Sequence, residues 1–512
     1  MKKLICLILI LLISVGILSS CKRGISFTVY VGEGTASLDP KKCTTRAEET
    51  YMMNLFCGLY KYVADGEGYK LVPDEADALP TVTETEDGKF VYTFRLREGL
   101  KWSSGEPITP EDYATSWNEA AAYSLYTDKG YVFSLIDGYE SFLAYDEDAS
   151  LNITFDNERR ILSVTVTECG EKFLSYTATP VLFPTSRRAR IDSPDWASDP
   201  EYFASNGAFT LSELSKESLT VKKNPNYRSA DSVLADEITF LFDKEKAAKD
   251  AKSGKLDFAF TEGLSFGGET EGYVTGTKYL AFNAADKAIG SFKPAHQRMI
   301  REAISIYVRE SKAFSNMPDS LCGYLEDDPP FVGDLAYADG LMEKVANESD
   351  LFVWQNGKAF EFPVLTALSA GRDGEDRDLF ELADYLYGKG ISLRIQSADW
   401  NSFLDMRDAG EYSLMMNAWS YSTLSDGEFL HLFASDSIYN DTRLGFESES
   451  EWKNIYDERL LEYDGTRSGF IAAYSALKES CCLIAIGSIE RRAIVGEDIY
   501  AEILRNGTVR FY

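Results

Sequence analysis

"YTFRLREGLKWSSGEPITPEDYATSW", residues 92–117, packs a strand, two turns and a helix start into 26 residues. Phe90, Tyr92, Phe94 and Leu96 alternate with Val91, Thr93, Arg95 and Arg97, which predicts a strand with one apolar face. Glu98 and Gly99 turn the chain, and the run from Ser103 to Pro107 turns it again. Thr109 then stands at an N-cap position, with Pro110 at the first helical position and Asp112 three residues past the cap. Ile108 and Tyr113 are spaced for a hydrophobic staple, and Tyr113 and Trp117 share a helix face. No side chain in the stretch is poised for chemistry. It reads as scaffold.

The rest of the chain sets the context. At 512 residues it is too long for one ordinary core, and two or three domains are expected. Apolar residues make up 45% and charged residues 26%, a globular composition. The formal net charge of −30 lacks the basic footprint that a nucleic-acid binder needs. Such acidity keeps a protein soluble and attracts cationic ligands.

Residues 1–20 read as a leader. Lys2 and Lys3 precede the apolar run "LICLILILLISVGIL" (4–18), shorter than the roughly 20 residues of a spanning helix. "LSSC" (18–21) resembles a bacterial lipobox, which would make Cys21 the lipidated first residue of the mature protein; an ordinary secretory leader is the alternative. Removing the leader takes both lysines with it, leaving 50 basic against 82 acidic residues. Six cysteines stay beyond Cys21, at irregular spacings from which no pairing can be read. Cys481 and Cys482 read as buried small hydrophobes. With only His296 and His431 there is no zinc-site pattern, and no metal or other cofactor is expected.

The opening stretch is similar to the signature of the extracellular solute-binding proteins of the oligopeptide and dipeptide type, which feed ABC importers. That signature runs roughly Y-T-F-x-L-R-x-G-V-K-W-S-D-G-E-P-x-T-A-E-D-x-x-x-S-W. The resemblance continues in "SLDPKKCTTRAEETYMMNLFCGLY" (37–60), "NGAFTLSEL", "LTVKKNPNYR" and "AKSGKLDFAF". It extends through "KYLAFNAADKAIGSFKPAHQRMIREAIS" and "ADWNSFLDMRDAGEYSLMMNAWS", covering nearly all of residues 25–512 in order. In the first of these, Met52, Leu55, Phe56 and Leu59 have helical spacing.

The fold class is therefore α/β, with mixed α+β character in the hairpin-rich N-terminal half. In the C-terminal half "FEFPVLTAL" reads as a strand, and Leu379, Leu382, Ala383 and Leu386 mark a helix stopped near Gly388. "ISLRIQS" is a strand, 401–409 a short helix ended by Gly410, and "YSLMMNAW" another strand. The resemblance implies a periplasmic-binding-protein-like fold of two lobes with an extra N-terminal subdomain. Lobe I is expected from 22–60, 180–273 and 482–512, the extra subdomain from 61–179, and lobe II from 277–481. The glycine-rich 265–277 is the expected crossing between lobes.

By the same resemblance the ligand touches Trp400 and Trp419, for which core packing is the alternative. Arg407 falls where some relatives hold a ligand carboxylate; the alternative is a solvated surface residue. Two departures matter. Ser422 occupies the position of the Asp that holds a peptide's α-ammonium, and Met416 stands where a second Arg can occur. Losing one partner of a buried charge pair costs about 2–5 kcal/mol. Either Glu33 or Asp426 replaces the lost carboxylate, or the solute is not a free-amine peptide; relatives with this fold also take sugars, metal complexes or haem. An enzyme is not expected: two histidines leave little room for a triad. The expected protein is a monomeric lipoprotein on the extracytoplasmic face of a bacterial membrane, in the periplasm or at the cell surface, anchored through Cys21. It takes an oligopeptide or other small solute and partners an ABC permease, with a signalling or adhesion receptor of the same fold as the rival.

Overall fold

The computed structural model describes residues 24–512 other than 36, 66–67, 128, 263–269, 315–332, 373, 422, 426, 436, 438, 446–452, 464–466 and 498. The leader, Cys21 and Cys322 therefore lie outside the described residues. Among those described, no helix is long and apolar enough to cross a membrane.

The alternation at residues 90–96 forms the strand Phe90–Arg95, with Tyr92, Phe94 and Leu96 fully buried. This strand lies in an antiparallel four-stranded sheet ordered Thr81–Glu84, Phe90–Arg95, Ile161–Val166, Ile153–Asp156. Gly99 and Gly105 take φ of +76° and +93° in the two turns, a conformation that glycine adopts without strain. The helix Pro110–Tyr123 begins as expected: Thr109 N–H donates to Asp112 Oδ2 at 2.9 Å. Tyr113 and Trp117 meet edge to face at 6.2 Å, and the Trp117 indole donates to the Leu182 carbonyl at 2.8 Å. Arg97 ties the stretch to its neighbour by donating from Nε to the Asp74 carbonyl at 2.6 Å.

A ten-stranded mixed sheet runs through the rest. Its order is Leu393–Ser397, Leu365–Ser369, Leu414–Ser420, Glu271–Phe282, Leu483–Val495, Phe258–Phe260, Ser26–Tyr30, Glu237–Leu241, Ser218–Lys223, Phe209–Leu214. Parallel pairs linked by helices occupy both halves. Lys244–Lys252 joins Glu237–Leu241 to Phe258–Phe260, while Glu375–Gly388 and Trp400–Ala409 serve the other half. The helix Trp400–Ala409 ends at Gly410, whose φ of +71° forms its C-cap.

The two halves have separate cores. One gathers residues between Phe27 and Phe260 with the C-terminal Val509 and Phe511; the others are built from residues between Tyr279 and Ala485. The long strands Glu271–Phe282 and Leu483–Val495 carry side chains into both groups, and Leu424 from the second half also packs into the first core. The two strands pair antiparallel from Glu271↔Ala493 to Ala281↔Leu483, with register shifts at Val274/Gly276 and Lys278/Tyr279. Over its described residues, the glycine-rich 265–277 is thus largely paired strand.

The helix expected to include Leu59 stops earlier. It spans Arg46–Leu55, with Phe56 already extended, and Leu59 is buried beyond it. The chain there passes so close to Thr177 that a Cβ on Gly58 would lie 2.4 Å from that carbonyl oxygen. Cys43, Cys57, Cys169, Cys481 and Cys482 are unpaired thiols, and both Cys481 and Cys482 are buried.

Candidate functional site

A cavity of about 810 Å³ opens between the two groups of cores. One wall comes from the start of the helix Arg46–Leu55, from residues 129–135 and from 168–176. The opposite wall comes from the end of the strand Leu414–Ser420, from 423–439 and from 457–463.

Local chemistry positions the first wall. Thr45 caps its helix, with Thr45 N–H donating to Glu48 at 3.0 Å, so that Arg46 and Glu49 enter at the first turn. Glu49 pairs with Arg46 at 2.5 Å and with Lys129 at 3.8 Å. Gly170 leads into the short helix Glu171–Tyr176. Glu171 accepts from the Tyr62 hydroxyl and, across the cleft, from the Ser425 hydroxyl, each at 3.0 Å.

The second wall centres on Trp419. Its indole donates to Glu428 Oε1 at 3.0 Å, and its ring meets Tyr439 edge to face at 5.5 Å. The other oxygen of Glu428 accepts from the Thr423 hydroxyl at 2.7 Å. On the same helix, Gly427–His431, the His431 pKa is held down at about 4 by burial and then by the charge of Lys172, so the imidazole is neutral at pH 7. Gly276 allows the crossing strand to lie against Trp419: a Cβ there would sit 2.3 Å from the Trp419 carbonyl oxygen.

The loop after Trp419 rests on the opposite half. Arg46 donates to the Tyr421 carbonyl, and Arg505 donates to the Leu424 carbonyl at 2.8 Å while lying over the Tyr421 ring at 4.7 Å.

Of the residues expected from the sequence, the structure brings Trp419 to the cavity. Trp400 stands outside its lining, 44% exposed, stacked on Phe403 at 5.3 Å with the Arg372 guanidinium 3.6 Å above its ring. Arg407 pairs with Asp408 at 2.7 Å. Glu33 borders a separate open groove of about 700 Å³ with Lys216 and Lys244. Ser422 and Asp426 lie outside the described residues. Met416 is buried in a core and offers nothing to a ligand. Glu168, Glu171, Tyr176, Glu428 and His431 line the cavity without having been singled out; no periodicity or motif distinguishes them from surface polar residues. Among the described residues, no group of three or more His, Cys, Asp or Glu is arranged to hold a metal ion.

Comparison with known proteins agrees with this architecture. The probable deoxycholate-binding periplasmic protein of Escherichia coli K12 is 25% identical over 83% of this chain and 79% of its own. The oligopeptide-binding protein OppA of Bacillus subtilis is 24% identical over 91% and 90%. Among solved structures, the unliganded open form of MppA, a periplasmic murein tripeptide-binding protein, is 18% identical over 96% and 98%, with a TM-score of 0.74. Haemophilus influenzae OppA in complex with the peptide RPPGFSPFR is 19% identical over 96% and 99%, with a TM-score of 0.56. Residues 70–441 match the family described as bacterial extracellular solute-binding proteins, family 5 Middle. The chain belongs to the bacterial extracellular solute-binding proteins of family 5.

Proposed function

We propose that this protein is an extracytoplasmic receptor that captures an oligopeptide between two closing lobes and hands it to an ABC import permease. The observation that carries the reading is the 810 Å³ cavity, lined from both halves of a molecule whose halves are joined by two paired strands. Its size suits a short peptide. Register shifts in those strands sit midway between the cores, where a small change in backbone angles swings one half against the other. We take 22–60, 180–273 and 482–512 as lobe I, 61–179 as the extra subdomain, 277–481 as lobe II, and Cys21 as the lipid anchor.

Native mass spectrometry of the protein extracted from membranes in mild detergent tests the whole reading. The expected result is a chain beginning at Cys21 with added acyl mass, carrying a spread of ligands that resolve into short peptides on release. A single non-peptide mass would replace the peptide with a specialised solute. A chain beginning elsewhere without acyl mass would remove the anchor.

A further inference from the structure

The described fold begins close to the proposed lipid. Four residue steps separate Cys21 from Ile25, which is already bonded into the first half of the molecule. Its backbone N–H donates to Asp236 Oδ2 at 2.9 Å, and its carbonyl accepts from the Asp236 N–H at 2.7 Å. Four residues span at most about 14 Å when fully extended. A lipid on Cys21 therefore holds the start of the strand Ser26–Tyr30 within that reach of the headgroups, whichever way the molecule leans.

The surface around this point differs from the rest of the chain. Ile25, Leu234, Tyr500 and Tyr512 are each between 37% and 54% exposed. Backbone hydrogen bonds draw them together: Asp236 joins Ile25, Ala235 donates to the Tyr512 carbonyl at 3.2 Å, and Tyr512 donates to the Tyr500 carbonyl at 3.0 Å. Tyr500 and Tyr512 continue the antiparallel pair of Ala501–Ile503 with Val509–Phe511, so their side chains share a face. Tyrosine beside aliphatic side chains suits a membrane–water interface, where the ring lies at the headgroup level. The charge is different as well. Residues 22–26 and 222–237 together carry five basic and three acidic side chains, in a chain with 52 and 82. A locally basic balance lets an otherwise acidic protein approach anionic lipid.

We infer that this end of the first half, with Ile25, Leu234, Tyr500 and Tyr512 at its surface, rests on the lipid headgroups of the membrane that holds Cys21. The inference rests on the proposed anchor and goes beyond it by naming the face that meets the lipid. This pose keeps the cavity clear of the bilayer. Ser26–Tyr30 runs away from the tether, and a Cβ at Gly32, past its far end, would lie 3.0 Å from that of Ala47. Ala47 belongs to the helix whose first turn lines the void. Lipid contact and cleft thus stand at opposite ends of one strand.

The test is photo-cross-linking of the full chain, purified from membranes, in nanodiscs of phosphatidylcholine and phosphatidylglycerol that contain a phospholipid with a diazirine near its headgroup. Intact mass reports the acyl groups on Cys21, and peptide mapping reports the cross-linked residues. Ile25, Leu234, Tyr500 and Tyr512 should be labelled on the order of tenfold more often than the more exposed Phe380 and Tyr387 of the second half, as for side chains inside and outside the headgroup layer. Leu234→Glu combined with Tyr500→Glu should lower labelling at Ile25 and Tyr512 roughly threefold by adding repulsion from anionic lipid. Unchanged circular dichroism melting would show an intact fold. An acylated chain labelled equally at Phe380 and Tyr387 would overturn the inference and leave the anchor standing. Labelling indifferent to the two glutamates would mean that the tether alone holds this face near the lipid, which also overturns it. A chain without acyl mass would overturn both the anchor and the inference.

Discussion

Residues 92–117 and residues 419–432 are both rich in aromatic and acidic side chains, yet they do opposite work. In the first, the polar groups have settled partners within the same half of the molecule: Trp117 bonds Leu182, Tyr113 bonds Glu75 at 2.7 Å, and Asp112 bonds Thr109. In the second, contacts reach across a cleft, as from the Ser425 hydroxyl to Glu171 at 3.0 Å. Dense, self-contained local signals mark scaffold. A site is marked by polar side chains drawn from distant parts of the chain to face one another across a cavity.

The sharpest way to break this contrast is to truncate a tryptophan in each region. Trp117 is fully buried, so Trp117→Ala should cost about 3–5 kcal/mol of stability through the cavity it leaves and the stranded Leu182 carbonyl. Trp419 is only half-buried and lines the void, so Trp419→Ala should change stability little. It should instead weaken ligand binding by 2 kcal/mol or more, about 30-fold. Denaturant unfolding and calorimetric titration of both variants decide the matter. Equal loss of stability would mean that Trp419 is scaffold as well.

How much was legible follows the same division. The helix 401–409 ending at Gly410 and the strand at 414–420 could be read because their periodicity and stop signals are local. The pairing of Glu271–Phe282 with Leu483–Val495 could not, since no local pattern says which distant strand a run will meet. The cavity shows this more strongly. Its walls draw on residues 44–49, 129–135, 168–176 and 419–463, and Glu171 or Tyr176 in sequence resembles any polar or apolar position on a short helix. Trp419, at a position the motif carried, lines the cavity; Trp400, carried by the same motif, stacks on Phe403 outside the lining.

Charge placement offers a second, smaller contrast. Glu75 sits under the opening stretch, and burial pushes its pKa up to about 8. The folded state therefore holds this proton between about pH 4.5 and pH 8 while the unfolded state has lost it, so stability falls as pH rises through that window. Glu75→Gln, which keeps a neutral acceptor for Tyr113, should gain on the order of a few kcal/mol over the parent at pH 8 and little at pH 4.5. His431 in the cleft has the opposite sign: its depressed pKa means that its contribution is complete above pH 6.5 and is lost as pH falls towards 4. Urea unfolding from pH 4.5 to 8 reads both slopes. A Glu75→Gln curve parallel to that of the parent would show that Glu75 is ionised in the fold.

The smallest effect tests the helix start itself. Thr109→Ala removes a hydroxyl that bonds Asp112 Oδ2 at 3.0 Å, but the Thr109 backbone N–H still donates to the same oxygen, and Pro110 still sets the first helical turn. The loss should sit near the lower end of the capping range, about 0.5–1 kcal/mol. Asp112→Ala should cost more, because Asp112 also accepts from the Arg187 backbone N–H at 3.0 Å and so joins the helix to a second segment of the same core. Both donors would be left without that partner in a nearly buried setting. Denaturation midpoints of the two variants give the order directly. A larger cost for Thr109→Ala would mean that the hydroxyl, and not the carboxylate of Asp112, holds this end of the helix.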